Sequence, residues 1–353
     1  MKTTYSILKF YGKCLLLSLP LLLFLAFYVI RDPFMVVRSY SDYDHSRVMQ
    51  SEGAVSWEKY KLYRHRCHYD AFIMGTSCTK AFSCHEWNRY IHAHPFRMFC
   101  NAEGLGSLKV KLQALDTVPG QRIDHLLIIA ERSMFDKVSP MHDFIHALPP
   151  KVSGESMANY QTLFFQTFLQ PKFLVPYLDY LATGRISRNG QKVLNVNVPT
   201  RERYSNDEVM YQEREITDMG ERYWADKDLP QQSRQQHPHE APLAIGLPQV
   251  TVLKEIEKIC RRHHTDVQWV VGPTFKQEQL NRHDILVLCQ IFGAAHVHDY
   301  SAVPQFFDYH CYYDQAHYRR AVGKKILQDI YKIGCPVRCS EKQRLISPVE
   351  LLI

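Results

Sequence analysis

The 353-residue sequence predicts an α/β protein, a doubly wound and mainly parallel five-stranded sheet, with an N-terminal transmembrane helix before it. Three observations predict it. Five short apolar runs each end in small or polar residues, as buried parallel strands do. Stretches of helical period lie between them. One long uncharged apolar run precedes them all. Hydrophobic residues make up 46% and charged residues 22%, globular proportions that exclude wholesale disorder and collagen-like chains. The net charge of +7 is small for this length and points to no nucleic-acid partner, which wants a dense basic face.

The first element is the run Cys14 to Ile30, seventeen residues without a charge. That is the short end of the ~17–25 residues needed to cross a bilayer. Lys2, Lys9 and Lys13 precede it with no acid among them, and Arg31-Asp32 follows it. The positive-inside rule then puts the N-terminus in the cytoplasm and the main domain outside. The run ends in Phe27, Tyr28, Val29 and Ile30 with no small-x-small cleavage site, so an uncleaved signal anchor over residues 1–31 is expected, rather than a removed signal peptide. Three of the seven excess charges therefore serve orientation. Residues 32–66 are polar, aromatic and mixed in charge and are expected to form a stalk.

The strands are expected at Asp70–Met74, Phe96–Cys100, Asp124–Ala130, Val267–Gly272 and Ala295–Tyr300. Helices are expected over 79–92, 107–118, 250–264, 276–292 and 317–333. Between the third and fourth strands the rhythm breaks at about 140–248. This insertion holds an aromatic helical block, Tyr160–Leu181, then a polar piece with Gly184, Asn189-Gly190 and an expected short hairpin. A charged helix over 207–223 and a Gln-, His- and Pro-rich linker, Gln231–Pro248, complete it. It is either a cap near the ligand site or a lateral decoration of the sheet.

In open α/β sheets ligands bind beyond the carboxyl ends of the strands. After the first strand stands Gly75-Thr76-Ser77-Cys78-Thr79-Lys80-Ala81-Phe82. Glycine permits the tight turn, and Ser77 is expected at a helix N-terminus, as an exposed nucleophile or as an ordinary N-cap. After the second strand comes Asn101-Ala102-Glu103-Gly104-Leu105-Gly106-Ser107, whose Gly104 can bring a backbone N–H close to an oxyanion. Tyr312-Tyr313-Asp314-Gln315-Ala316-His317-Tyr318 is expected to open the last helix. There Asp314 can orient His317 as a general base.

These residues together resemble the SGNH/GDSL hydrolase superfamily: a strand ending in Gly-x-Ser-x-x-x-x-Phe, a glycine loop after the second strand, and Asp-x-x-His-Tyr before the last helix. More narrowly the chain resembles the membrane-anchored bacterial branch, with the D-alanyl-lipoteichoic acid biosynthesis protein D and the alginate O-acetyltransferase-like proteins. The likeness covers roughly 70–136 and 267–333 and includes Val271-Gly272-Pro273-Thr274-Phe275. It implies a three-layer α/β/α flavodoxin-like SGNH domain over 67–353. Ser77 would be the nucleophile, His317 the base and Asp314 its partner. The Ser77 backbone N–H and Gly104 would be oxyanion donors. The superfamily often supplies an Asn donor after the third strand; here Glu131-Arg132-Ser133-Met134-Phe135-Asp136 has none, and either Arg132 or Ser133 is left to stand in. The resemblance further implies acyl-ester transfer or hydrolysis on a cell-envelope glycan or polymer at the bacterial inner membrane. It implies a multi-pass membrane-bound O-acyltransferase as partner. A catalytically inert accessory or glycan-binding protein of the same fold is the alternative.

No cofactor or metal is expected. His92-x-His94, His237-x-His239, His263-His264 and His296-x-His298 come without HExxH or a Cys/His ladder. His296 and His298 are expected on opposite faces of a strand. Tyr309, Tyr312, Tyr313 and Tyr318 can stack on a sugar or pack as core. Nine cysteines lie outside the apolar run, an odd number, with Cys335 and Cys339 the nearest local pair.

Overall fold

A computed structural model describes residues 2–197 and 200–332. The chain divides into two compact units, Ser51–Gly154 with Pro199–Ile353, and Met1–Gln50 with Glu155–Val198.

The first unit is built on strands β1 (Ala71–Gly75), β2 (Pro95–Arg97), β3 (His125–Ala130), β4 (Asp266–Val271) and β5 (Val297–Asp299). Their order is β2-β1-β3-β4-β5, and every neighbouring pair is parallel. All five expected runs are thus strands of one sheet. Register sets Phe72 beside Phe96 and Leu126, and Ile128 beside Trp269. Side chains alternate across the sheet. Phe72, Met74, Ile128 and Trp269 enter one apolar cluster; Ile73, Leu127, Ile129 and Val270 enter another.

Helices α2 (Glu52–Cys67), α4 (Leu105–Asp116), α7 (Leu247–His263) and α8 (Arg282–Phe292) contribute Tyr60, Leu112, Ile256 and Leu288 to the first cluster. Helices α3 (Cys84–Ile91) and α9 (Arg320–Lys332) contribute Trp87 and Ile326 to the second. Each such side chain, fully buried, stabilises by ~1.5–3 kcal/mol. Helix α2 corrects the expectation of a stalk over 32–66. Ser51 caps it, accepting from the Ala54 N–H and donating to the Ala147 carbonyl at 2.8 Å. Its Lys59 is buried and donates to the Glu202 carbonyl at 3.1 Å.

The later part of the 140–248 insertion also belongs to this unit. Thr200–Arg201 pairs antiparallel with Glu208–Val209, and His239–Glu240 pairs with Glu278–Gln279. The charged helix expected over 207–223 is two helices, Gln212–Met219 and Arg222–Ala225, separated at Gly220. Asn189-Gly190 leads into a 3₁₀ turn, Gly190–Lys192.

The second unit holds α1 (Lys2–Arg31), α5 (Met157–Leu169) and α6 (Pro171–Thr183). Lys9–Arg31 has a mean hydropathy of 2.3, and it is long and apolar enough to cross a membrane. The aromatic block breaks at Gln170-Pro171, because proline suits the first turn of a helix and not its interior. Tyr28 and Phe34 are buried among Phe164, Phe165, Phe168 and Phe173. The eight described cysteines are free thiols. The pair Cys335 and Cys339 lies outside the described residues.

Candidate active site

The sheet order reverses between β1 and β3, and it is beyond the carboxyl ends of strands at such a switch point that open α/β sheets bind ligands. β1 stops at Gly75, whose φ of +131° suits glycine alone. A Cβ there would stand 2.1 Å from the Ile129 carbonyl oxygen. Ser77 follows at the head of a 3₁₀ turn, Ser77–Ala81, rather than a longer helix; α3 starts only at Cys84. The Thr76 hydroxyl caps this turn by accepting from the Cys78 N–H.

Ser77 is half-buried, and its Oγ lies 2.9 Å from His317 Nε2. His317 Nδ1 lies 2.9 and 3.0 Å from the two Asp314 oxygens. The structure thus brings Ser77, His317 and Asp314 into one hydrogen-bonded chain across 240 residues of sequence. Asp314 and His317 do not open α9, which begins at Arg320. They occupy a tight turn closed by a bridge between Tyr312 and Tyr318. Asp314 Oδ1 accepts from the N–H groups of Ala316 and His317 at 2.8 and 2.9 Å, which fixes the turn. Burial pushes the Asp314 carboxyl up, but the bonds from His317 and from these N–H groups outweigh it and hold it below the usual carboxylate range. With Asp314 ionised, the proton of a neutral His317 rests on Nδ1, and Nε2 is left to accept from Ser77.

Segment 212–232 braces this turn. Tyr223 Oη donates to the Tyr313 carbonyl at 2.8 Å and Trp224 Nε1 to the Tyr312 carbonyl at 3.0 Å. Glu213 accepts from Tyr313 Oη at 2.6 Å and from Arg319 at 2.7 Å. Gln315 bonds Gln232. This part of the insertion therefore holds the loop that carries Asp314 and His317. Tyr312, Tyr313 and Tyr318 are buried in the core, and Tyr309 is half-exposed.

Gly104 stands at the head of α4, tightly packed: a Cβ would lie 2.3 Å from Lys137 Cβ. Among the described residues no hydrogen bond joins Gly104 to the Ser77–His317–Asp314 chain. Its neighbour Glu103 is buried, accepts from the Gly75 N–H at 3.1 Å and pairs with Lys111 at 2.6 Å. Burial pushes the Glu103 carboxyl up to about 7 against the pull of Lys111.

After β3, where an Asn donor was sought, Glu131 Oε1 accepts from Thr76 Oγ1 at 2.7 Å. Arg132 pairs with Asp136 at 2.9 Å. Burial, and then the Glu131 charge, push the Cys78 thiol well up. A carboxylate thus stands beside the Ser77 turn. Sequence reasoning missed Glu103 and Glu131 as parts of the site; each follows a strand, and that position was their only signal.

His296 and His298 both reach Gln268, at 3.4 and 2.7 Å, and residues two apart along an extended chain project to one face. This corrects the expectation that they are separated by a sheet face. No family model matches the chain, and no curated protein or solved structure matches it.

Proposed function

We propose that the protein is a membrane-anchored serine acyl-ester transferase or esterase acting outside the cytoplasm on a cell-envelope glycan or similar polymer. The observation that carries this reading is the hydrogen-bonded chain from Ser77 Oγ through His317 to Asp314. In the proposed reaction Ser77 Oγ attacks the ester carbonyl while its proton passes to His317 Nε2. The C–O bond to the alcohol then breaks, and the alcohol leaves with that proton. Water or a sugar hydroxyl next attacks the acyl-enzyme and gives its proton to His317, which passes it to Ser77 Oγ as the acyl–Oγ bond breaks.

Further support comes from the strand order 2-1-3-4-5, which is the flavodoxin-like order, and from the resemblance of the motifs to SGNH hydrolases. The apolar helix α1 supports a single-pass anchor at the bacterial inner membrane, with the N-terminus inside. A multi-pass membrane-bound O-acyltransferase is the proposed acyl donor system.

Labelling of the full chain with a fluorophosphonate tests the reading. Wild type takes the label, Ser77→Ala takes none, and His317→Ala is slower by ~10²–10⁴-fold, the usual worth of a general base. An unlabelled wild type, or equal label on Ser77→Ala, overturns it. One observation favours a second reading, an inert accessory or glycan-binding protein: the Glu131 carboxylate lies where an oxyanion donor was sought. A wild type without label but with retained glycan binding would establish that reading.

A further inference from the structure

We propose that the unit formed by α1, α5 and α6 lies in the membrane interface and binds the phosphate headgroup of an anionic phospholipid at the C-terminal end of α1. The proposal rests on α1 crossing the bilayer and is independent of the chemistry at Ser77.

Depth is the first argument. The apolar stretch Lys9–Arg31 holds 23 residues. At 1.5 Å per residue it is ~35 Å long, against ~30 Å of hydrocarbon, so its last turn reaches the headgroup level. Phe27 and Tyr28 lie one turn below Arg31. Helix α5 covers them there: Phe168 is 6.0 Å from Phe27 and 5.4 Å from Tyr28, and Phe165 is 5.4 Å from Tyr28. A helix that packs on this turn, with α6 following it directly, shares its depth in the leaflet.

Polarity is the second. On α6, Phe173, Pro176 and Tyr177 are buried inward. Val175, Leu178 and Leu181 are 64%, 40% and 36% exposed, spaced by three. An apolar stripe at headgroup depth fits the acyl boundary, as interfacial helices do.

The third is a cavity of about 260 Å³ beside that stripe, lined in part by Arg31, Arg38, Arg47, Tyr40 and Tyr180. Asp32 also lines it, but its oxygens are occupied: they accept from the N–H groups of Val36, Val37 and Arg38 and from Tyr40 Oη. Arg38 spends donors on Tyr40 Oη at 2.9 Å and on the Ile30 carbonyl at 3.3 Å, and Arg47 spends one on the Val196 carbonyl at 3.1 Å. The Arg31 guanidinium has no partner among the described residues. Each guanidinium carries five donors, so many remain for an anion, and the planar fork matches phosphate oxygens. Three cations against one occupied carboxylate, at the depth of headgroups, select a lipid phosphate over a soluble one.

Native mass spectrometry of the full chain released from phosphatidylcholine nanodiscs doped with phosphatidylglycerol tests this. Wild type is expected to retain phosphatidylglycerol preferentially. Arg31→Gln, which breaks no internal bond, lowers retention by about fivefold, and the triple Gln variant at 31, 38 and 47 abolishes it. Photo-crosslinking from position 175 is expected to capture lipid. Equal retention by wild type and Arg31→Gln, or no preference over phosphatidylcholine, overturns the proposal. Displacement by millimolar inorganic phosphate overturns the lipid assignment in favour of a soluble anion. Fluorophosphonate labelling of the same samples reports on Ser77 separately.

Discussion

A serine hydroxyl attacks an ester only when a base removes its proton and donors receive the oxyanion. The first condition is met by geometry, through His317 and Asp314. The second meets opposition, because Glu131 holds its carboxylate on Thr76, next to Ser77. Removing that charge while keeping an acceptor for Thr76 should favour a developing oxyanion. Glu131→Gln is therefore expected to take fluorophosphonate about tenfold faster at neutral pH, equivalent to ~1.4 kcal/mol of barrier. Stopped-gel labelling rates measure it; an unchanged or slower rate would mean that Glu131 does not face the reacting centre, or that its charge supports the reaction. Ser77, Asp314 and His317 were legible in the sequence because their types and their places after strands carry chemical meaning. Glu103 and Glu131 were not, because their partners, Gly75 and Thr76, reach them only through the pairing of β1 with its neighbours.

Elements hold these residues at working distance. The turn Ser77–Ala81 is covered by α9, and the closest approach is at Gly323, where a Cβ would stand 2.2 Å from the Ala81 carbonyl oxygen. Two effects oppose each other in Gly323→Ala. Alanine favours the helix by ~1 kcal/mol. Overpacking costs ~1–3 kcal/mol and acts on backbone, which cannot rotate away. The clash should win, pushing α9 from the turn that carries Ser77. The expected outcome is a melting point lower by about 2–6 °C, with slower labelling. A raised melting point with unchanged labelling would show that α9 is free to shift. The strands and α4, α7, α8 and α9 were legible because their apolar period is set by one buried face each. Helix α2 was not, since it buries Lys59 and Ser56 beside Trp57 and Tyr60, and a buried polar side chain breaks the pattern that marks a face. The turn at Asp314 was misread as a helix start, because a helix cap and an Asx turn share the same residue types.

At the scale of the molecule, the insertion over 140–248 proved to be two things. Its aromatic block belongs with α1, while its later part braces the loop that carries Asp314 and His317. The sequence marks Tyr160–Leu181 as an aromatic helical block, but it could not show that Phe164, Phe168 and Phe173 pack on Tyr28 and Phe34, more than a hundred residues earlier. The division has a testable consequence. Both apolar clusters of the α/β unit are composed wholly of residues from that unit. Its core thus loses no member when residues 1–50 are removed and 155–198 are replaced by a flexible Gly/Ser linker. Such a linker costs little, since closure entropy grows only slowly with loop length. The excised unit also lacks the apolar helix and the exposed stripe of α6, the surfaces that would demand detergent. It is expected to purify without detergent, to melt cooperatively, and to be labelled at Ser77 within about threefold of the full chain, well inside the ~1 kcal/mol that would signal a disturbed site. Circular dichroism melts and labelling rates in the presence and absence of detergent check this. Aggregation without detergent, or loss of label in a folded sample, would mean that Ser77 and His317 depend on α1, α5 or α6 for their placement.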